Sequence, residues 1–194
     1  MTVSSAAVYG ASYRDPIAED SLPRPVSPYG HHKLMMENLC QSYSESFGLR
    51  CTVIRLFSVY GPWLRKQLLW DLCSNLAGGA KVLTLAGSGN ELRDWIEIQD
   101  VVTLIDQVSA LEGSEFLRIN GGSGIPTAVA EVAEAVVQAW GSDAQVIFPG
   151  GEREGDPFSL VAAPGVMADR DFTWRIPLSE GIPRYVQWFR EAHT

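Results

Sequence analysis

Tyr29 and Lys33 have a spacing that suits proton transfer. They lie four residues apart in the segment YGHHK, which on an α-helix places them one turn apart on the same face. A lysine ammonium beside a phenol stabilises the phenolate, and a phenolate is able to act as a general base near neutral pH. The same spacing occurs in ordinary surface pairs on helices, so the pair by itself leaves both interpretations open.

A helix within residues 26–48 must position this pair. Ser27 is a candidate N-cap, Pro28 suits the first helical position, and Gly48 is able to end the helix in a left-handed conformation. Apolar residues recur through the segment at helical spacing, which predicts that one face of the helix is buried. These residues are Met36, Leu39, Cys40, Tyr43 and Phe47.

Short apolar strands alternate with helical segments along the rest of the chain, and this pattern predicts an α/β protein with a parallel sheet. The predicted strands are RCTVIRLF at 50–57, VLTLAGSGN with its glycine turn, RDWIEI, FLRIN at 116–120 and residues 145–148. The predicted helices cover residues 64–77, 101–111, about 127–140, 164–173 and 179–191. Asp100 precedes the second of these helices and is expected to cap its N–H groups.

Length, composition and charge limit the classes of protein to consider. The 194 residues are 46% hydrophobic and 20% charged, which is enough apolar material for one folded domain or slightly more. Lys and Arg number 15 against 23 Asp and Glu, so the net charge is −8. This charge argues against duplex nucleic acid or an anionic membrane as the partner. Any anionic ligand must therefore be bound by a few placed arginines.

Cysteine usage and the N-terminal sequence favour a cytoplasmic location. Cys40, Cys51 and Cys73 are odd in number and have no Cys-x-x-Cys spacing, which argues against a disulfide framework and against a zinc site. The N-terminus has no basic segment followed by an apolar one, and no apolar run approaches the ~18 residues of a membrane span. The sequence therefore predicts a soluble cytoplasmic protein without a bound metal.

Six motifs follow one another along the chain in a specific order. They are SSAAVYG at 4–10, SPYGHHK at 27–33, RLFSVYGP at 55–62, RDWIEIQDV at 93–101, INGGSG at 119–124 and REGD at 153–156. Together they resemble the extended short-chain dehydrogenase/reductase family, and within it the NAD-dependent nucleotide-sugar epimerases and dehydratases. The resemblance covers essentially the whole chain and corresponds to the later two-thirds of such an enzyme.

The resemblance implies catalytic roles for three residues. Ser5 corresponds to the catalytic hydroxyl, Tyr29 to the acid/base, and Lys33 to the lysine that tunes the tyrosine and holds the nicotinamide ribose. The chemistry agrees, since a hydroxyl and a phenolate on one substrate oxygen are able to relay its proton while the carbon beneath loses hydride. Ser5 also has an alternative role as a capping or turn serine at a strand end.

NAD is the cofactor that the resemblance implies, and residues 57–59 complete its predicted site with Tyr29 and Lys33. Phe57, Ser58 and Val59 lie in RLFSVYGP, where many members of the family have a nucleotide-contacting asparagine at the position of Ser58. That side-chain contact is therefore in question in this chain, whereas backbone groups at the strand end remain able to face the ligand.

The implied substrate is a nucleoside-diphosphate sugar. Arg93 and Arg153 correspond to the diphosphate-binding arginines of the family, and guanidinium forks suit that anion. Asp156 of the REGD segment is assigned to the substrate with them. The alternative is that each arginine forms a structural pair with Asp94 or Asp156. The loop Gly121–Gly124 lacks GxGxxG spacing, so we expect a tight turn in the substrate region.

Ala6 and Ala7 discriminate among the reactions of the family. Related 4,6-dehydratases carry an Asp-Glu pair at these positions, because the elimination of water needs an additional acid and base, and decarboxylating relatives need a carboxylate there. Two alanines do not transfer protons. The sequence therefore favours epimerisation through a transient keto sugar, or simple oxidoreduction. Surface polysaccharide assembly is the process that the family suggests.

The glycine-rich βαβ segment that holds the pyrophosphate of a dinucleotide is not among the 194 residues. We therefore expect residues 1–62 and 99–120 to be the remainder of a Rossmann-type NAD-binding domain. Residues 63–98 and 121–194 are expected to form a smaller α/β domain for the nucleotide sugar. The chain alone is expected to be inactive and to need a second copy or a separate N-terminal half. The alternative function is a non-catalytic nucleotide-sugar-binding module or the C-terminal half of a split enzyme.

Overall fold

Strands and helices alternate along the chain in the computed structural model, which describes residues 1–111, 116–151 and 155–193. The strands are β1 (Thr2–Ser5), β2 (Cys51–Leu56), β3 (Ser58–Tyr60), β4 (Val82–Thr84), β5 (Leu92–Glu97), β6 (Phe116–Gly121), β7 (Pro126–Ala128), β8 (Gln145–Ile147) and β9 (Ser159–Leu160). The α-helices are α1 (Pro28–Phe47), α2 (Gln67–Ala77), α3 (Ile98–Ser109), α4 (Val129–Trp140) and α5 (Leu178–Glu191), with 3-10 helices at Ala6–Tyr9 and Ala168–Arg170. The predicted α/β class is confirmed.

The first sheet is parallel and has the strand order β1-β2-β6. Helix α1 connects β1 to β2, and α3 precedes β6, as parallel pairing requires a crossover between neighbouring strands. The register pairs Ser5 with Leu56 and Leu56 with Gly121. The carboxyl ends of all three strands therefore lie along one edge of the sheet.

A buried ionic network fixes α1 against this sheet. Glu37 and Arg55 are almost fully buried and form a salt bridge of 2.6 Å. The Arg55 guanidinium also donates to the Tyr9 hydroxyl at 2.8 Å, and that hydroxyl donates to Asn120 Oδ1 at 2.7 Å. Burial disfavours the guanidinium charge, but the hydrogen bonds to Glu37 and Tyr9 outweigh it and raise the pKa of Arg55. The network joins α1, β2 and β6 through side chains that are far apart in sequence.

The second sheet contains β3, β5 and β7, with β9 paired to β5, while β4 pairs separately with β8. Helices α2, α4 and α5 pack on one another and contribute apolar residues such as Leu72, Val136 and Tyr185 to the largest core cluster. The hydrophobic period of 3.6 residues in these helices explains why one side of each is buried. Across the described ranges, no helix is long and apolar enough to cross a membrane.

The caps of α1 are as predicted, but its predicted buried face is wrong. Ser27 accepts a hydrogen bond from Gly30 N, and Gly48 has a left-handed φ of 62°. The residues that α1 buries are instead Gly30, Glu37 and Ser44. The predicted face is half-buried to exposed, with Leu39, Tyr43 and Phe47 at 59%, 50% and 69% exposure. Apolar periodicity identified a face, but the Glu37–Arg55 salt bridge decides which face meets the sheet.

Three predicted elements differ from the structure. Helix α2 begins at Gln67 rather than at residue 64, because Trp63 and Gln67 have left-handed φ values of 75° and 69°. Helix α3 begins at Ile98 and is capped by Glu97, whereas the Asp100 carboxylate accepts from the N–H groups of residues 175 and 176. The predicted helix at 164–173 is reduced to the short 3-10 helix Ala168–Arg170, since the segment is anchored by the Val166 N–H bond to Glu19.

Candidate functional site

The carboxyl ends of β1 and β2 open into a cavity of about 760 Å³. Open α/β sheets bind their ligands at this edge, outside the carboxyl ends of the strands. The cavity brings together most of the residues that the sequence singled out, namely Ser5, Tyr29, Lys33, Phe57, Ser58, Val59 and Arg93. Asp156 lines an adjoining cavity of about 120 Å³, which shares Arg93 and Val129 with the larger one. Arg153 lies outside the described residues.

Tyr29 and Lys33 both face this cavity from the first turns of α1. Lys33 Nζ lies 5.8 Å from the centroid of the Tyr29 ring and donates a 2.9 Å hydrogen bond to the carbonyl oxygen of Val3. The bond to β1 holds the ammonium beside the phenol. Gly30 permits this placement, because a Cβ there would lie 2.6 Å from the Ala7 carbonyl oxygen. The close approach of α1 to the 3-10 helix that follows β1 therefore depends on a residue without a side chain.

Ser5 is the last residue of β1, and its capping role is compatible with the catalytic role predicted for it. Its hydroxyl oxygen accepts a 3.2 Å hydrogen bond from Ala7 N, which caps the 3-10 helix that follows the strand. The capping alternative is thus present in the structure. A hydroxyl that accepts one hydrogen bond still has its own proton to donate, and the Ser5 side chain lies among the residues that line the cavity.

Arg93 stands between the two cavities. Its guanidinium donates to the carbonyl oxygens of Leu92 at 2.8 Å and Phe158 at 3.4 Å. Burial lowers the pKa of Arg93, and the negative charges of Asp156 and Glu91 act in the opposite direction. A guanidinium has five N–H donors, so donors remain for a ligand after these two backbone contacts.

Asp94 does not line the larger cavity, but its hydrogen bonds hold neighbouring segments in place. The sequence did not predict this role. Its buried carboxylate accepts hydrogen bonds from Ser123 N, Ser123 Oγ, Gly124 N and Ala162 N at 2.7–3.1 Å. These bonds fasten the 121–124 turn and residue 162 to β5. A Cβ at Gly122 would lie 2.6 Å from Asp94 Oδ2. The predicted alternative of an Arg93–Asp94 pair is wrong, because the Asp94 carboxylate bonds to backbone and serine groups.

Sequence reasoning also missed lining residues of the loop after β3, of the start of α2 and of β5. Leu64, Lys66, Gln67 and Leu68 line it from one side, and Trp95 lines it from β5. Lys66 carried no signal in the sequence, because no motif included it. The position of Trp95 was detectable as an alternate residue of the RDWIEI strand, two places from Arg93, since residues i and i+2 share one face of a strand.

A parallel sheet with helical crossovers and a cavity at its carboxyl edge is the architecture of a Rossmann-type α/β fold. Residues 1–117 match the model of the NAD dependent epimerase/dehydratase family. The chain belongs to this family, and the resemblance drawn from the six motifs is confirmed.

Curated and structurally characterised relatives agree with this assignment. The probable UDP-glucuronate 4-epimerase of Rhizobium meliloti (strain 1021) is 28% identical over 219 residues, covering 100% of this chain and 64% of that protein. The UDP-glucose 4-epimerase of Azospirillum brasilense is 30% identical over 177 residues, which cover 82% of this chain and 51% of that protein. The structure of MoeE5 in complex with UDP-glucuronic acid and NAD has a TM-score of 0.86 at 30% identity, covering 98% and 64%. The chain thus spans less than two thirds of the length of each.

Proposed function

We propose that the chain provides the nucleotide-sugar site and the acid/base group of an NAD-dependent epimerase. The observation that carries this proposal is the shared cavity, in which Ser5, Tyr29 and Lys33 line the same space as residues 57–59 and Arg93. In this proposal residues 1–62 and 99–120 serve the cofactor, and residues 63–98 and 121–194 serve the sugar nucleotide.

Tyr29 acts first as the base on a sugar hydroxyl. The O–H bond of that hydroxyl breaks, and its proton passes to the phenolate directly or through the Ser5 hydroxyl. At the same time the carbon loses hydride, so that the C–OH group becomes a ketone. The Lys33 ammonium stabilises the phenolate before the transfer. When the ketone is reduced again on its other face, Tyr29 returns the proton to the oxygen. The product differs from the substrate in configuration at one carbon.

The residues present fit the nicotinamide end of NAD. Lys33 Nζ uses one donor for Val3, which leaves two for ribose hydroxyls, and the largely buried Phe57 offers an apolar surface. When bound, NAD supplies the acceptor of the hydride and its return to the opposite face of the ketone. Because no glycine-rich phosphate-binding turn is among the 194 residues, we expect the chain alone to bind NAD weakly.

In the same proposal, Arg93, Arg153 and Asp156 hold the nucleoside diphosphate. The position of Arg93 between the cavity of Tyr29 and the cavity of Asp156 supports this assignment, because a sugar nucleotide would have to extend through both. A guanidinium fork is the side chain best suited to two adjacent phosphate oxygens.

Epimerisation is favoured over dehydration by the lining of the site. Ala6 and Ala7 follow Ser5 in the 3-10 helix, at the positions where an elimination would need an acid and a base. Among the described residues that line the larger cavity there is neither Asp nor Glu. Tyr29 is therefore the proton carrier available to the sugar, which suffices for oxidation and reduction of one hydroxyl.

We further propose that another polypeptide surface covers α1 in the working enzyme, either a second copy of the chain or a separate N-terminal half. Leu39, Tyr43 and Phe47 on α1 are at least half exposed. Strand β1 is also the terminal strand of its sheet, and exposed edges of this kind are normally covered or protected. Contiguous apolar surface mostly marks an interaction site.

The test of the proposed chemistry is Tyr29→Phe, which removes the phenolic oxygen and keeps the ring. The chain is supplied with NAD and with the N-terminal part of the Azospirillum brasilense relative, and UDP-glucose turnover is followed by NMR of the sugar protons. We expect turnover to fall about 10²–10⁴-fold, while calorimetry shows UDP-glucose affinity unchanged within about twofold. Tyr43→Phe is the matched control, since Tyr43 lies on the same helix and is comparably exposed, at 50% against 55%.

Equal turnover of Tyr29→Phe and Tyr43→Phe would refute the acid/base assignment. If the unaltered chain binds UDP-glucose but shows no turnover with NAD and the added N-terminal part, the non-catalytic nucleotide-sugar-binding module is favoured instead.

A further inference from the structure

The charged residues that line the larger cavity all have the same sign. They are Lys33, Lys66 and Arg93, and the described lining contains no acidic residue. The whole chain has a net charge of −8, so this concentration of positive charge runs against the composition. The cavity beside the second sheet, in contrast, is lined by Glu97, Asp100 and Arg175.

Two of the three cations already have contacts. Lys33 donates to the Val3 carbonyl and lies beside the Tyr29 ring. Arg93 donates to two backbone carbonyls and lies in the field of Asp156. Lys66 is exposed, and within the described part of the chain its ammonium has no hydrogen bond or ion pair. The third cation of the cavity is therefore free to meet a ligand.

The backbone around Lys66 is held in an unusual conformation. Trp63 and Gln67 have φ values of 75° and 69°, which is the left-handed region that side chains other than glycine rarely adopt. Such residues persist only where the surrounding structure imposes them, and they cluster at active sites and ligand-binding segments. The segment that carries Lys66 is thus placed at the cavity by the fold rather than by its own preference.

We propose that Lys66 determines specificity for a sugar that carries its own negative charge, as a uronic acid does. This inference rests on the proposed function. The diphosphate is common to every sugar nucleotide and is assigned to Arg93 and Arg153, so an unpaired ammonium in the cavity of Tyr29 is left for the sugar. A carboxylate forms a charge-assisted hydrogen bond with it, whereas the hydroxymethyl group of a neutral hexose does not.

The experiment compares UDP-glucuronate with UDP-glucose, which differ at C6 alone, by calorimetric titration of the 194-residue chain. For the unaltered chain we expect UDP-glucuronate to bind about tenfold more tightly or better, as a hydrogen bond to a charged group gives. Lys66→Met should remove that preference and leave UDP-glucose affinity within about twofold. Lys81→Met is the control, because Lys81 is an exposed lysine that pairs with Asp143 away from the cavity. The preference should also decrease as salt is added.

Each other result overturns the inference. If Lys66→Met weakens both ligands equally, Lys66 contacts the shared diphosphate. If it weakens neither, Lys66 has no role in binding. Equal affinity of the unaltered chain for the two ligands refutes the inference and leaves the proposed function standing, whereas failure of the chain to bind either ligand refutes the proposed function as well.

Discussion

Helix α1 and the helices beside the second sheet meet their surroundings in opposite ways, although the first sheet also packs on α3 through buried residues such as Ile54 and Leu104. The sheet of β1, β2 and β6 meets α1 through the buried Glu37–Arg55 salt bridge and leaves apolar residues of that helix exposed. Helices α2, α4 and α5 beside the second sheet are packed through buried apolar side chains, and their largest cluster includes Leu72, Val136 and Phe189. Helix α1 is oriented by charge, whereas the three helices of the second region are held by hydrophobic burial.

The difference indicates which region would gain most from the cover proposed for α1. A buried salt bridge fixes orientation but adds little net stability, because desolvation offsets its attraction. Apolar burial is the main source of folding free energy. The first region has exposed apolar residues on α1 and an unpaired edge at β1, so it gains most from a covering surface. The cavity of Tyr29 lies at the carboxyl edge of this same region, so the proposed cover would also order the site.

The largest expected change in stability comes from breaking the buried pair. Glu37→Leu leaves the Arg55 guanidinium buried without its carboxylate, and the removal of one partner of such a pair costs about 3–5 kcal/mol. The double variant Glu37→Leu with Arg55→Met removes both charges and should recover most of that loss. Chemical denaturation of the three proteins gives the free energies of unfolding.

A double variant as unstable as Glu37→Leu would contradict the prediction. It would show that Arg55 acts through its bonds to Tyr9 and the Glu19 carbonyl more than through the salt bridge.

A smaller contrast is expected between two leucines in the centres of helices. Leu72 of α2 is 1% exposed and Leu39 of α1 is 59% exposed. Leu72→Ala should therefore cost about 2–5 kcal/mol of unfolding free energy, whereas Leu39→Ala should change it by about 0.5 kcal/mol or less. Native mass spectrometry should show that Leu39→Ala weakens assembly with the covering polypeptide. Intact assembly would place the covering surface elsewhere on the chain.

Local signals predicted local structure well. The caps at Ser27 and Gly48 depend on neighbouring residues alone, and the helix that carries Tyr29 and Lys33 was predicted with its correct limits. The motif order identified the family and seven of the residues that line the cavity, namely Ser5, Tyr29, Lys33, Phe57, Ser58, Val59 and Arg93. The assignment of catalytic and binding roles to those residues stays a prediction.

Features that depend on distant residues were not predictable in the same way. Asp94 bonds to groups 29, 30 and 68 residues further along the chain. Periodic patterns in the sequence do not predict such pairs. The choice of the polar face of α1 for burial depends on Arg55, which is 18 residues from Glu37. The apolar residues of the helix gave a pattern without an indication of what would cover them.

The smallest predicted effect concerns the carboxylates of Glu91 and Glu97 in the second region. Both accept hydrogen bonds from backbone N–H groups, whereas Glu37 pairs with an arginine. The Glu91 carboxylate accepts from Ser88 N at 2.8 Å and Gly89 N at 2.9 Å; burial acts to raise its pKa, but these bonds outweigh burial and lower it. Burial raises the pKa of Glu97, against the hydrogen bond that Gln99 N donates.

The two shifts predict pH dependences of opposite sign. A lowered folded pKa gives stability that is present above the unfolded value of about 4.3 and is lost as the pH falls through the folded pKa. The stability lost in Glu91→Gln should therefore shrink as the pH is lowered below about 4.

A raised folded pKa gives stability that is present below the unfolded value and is lost as the pH rises through the folded pKa. The stability of Glu97→Gln should accordingly rise relative to that of the unaltered chain between about pH 4.5 and 7. Denaturation midpoints measured across that range check this. Parallel profiles for the two variants would mean that backbone hydrogen bonds and burial do not set these two carboxylates apart, and that the second region responds to acid as a single unit.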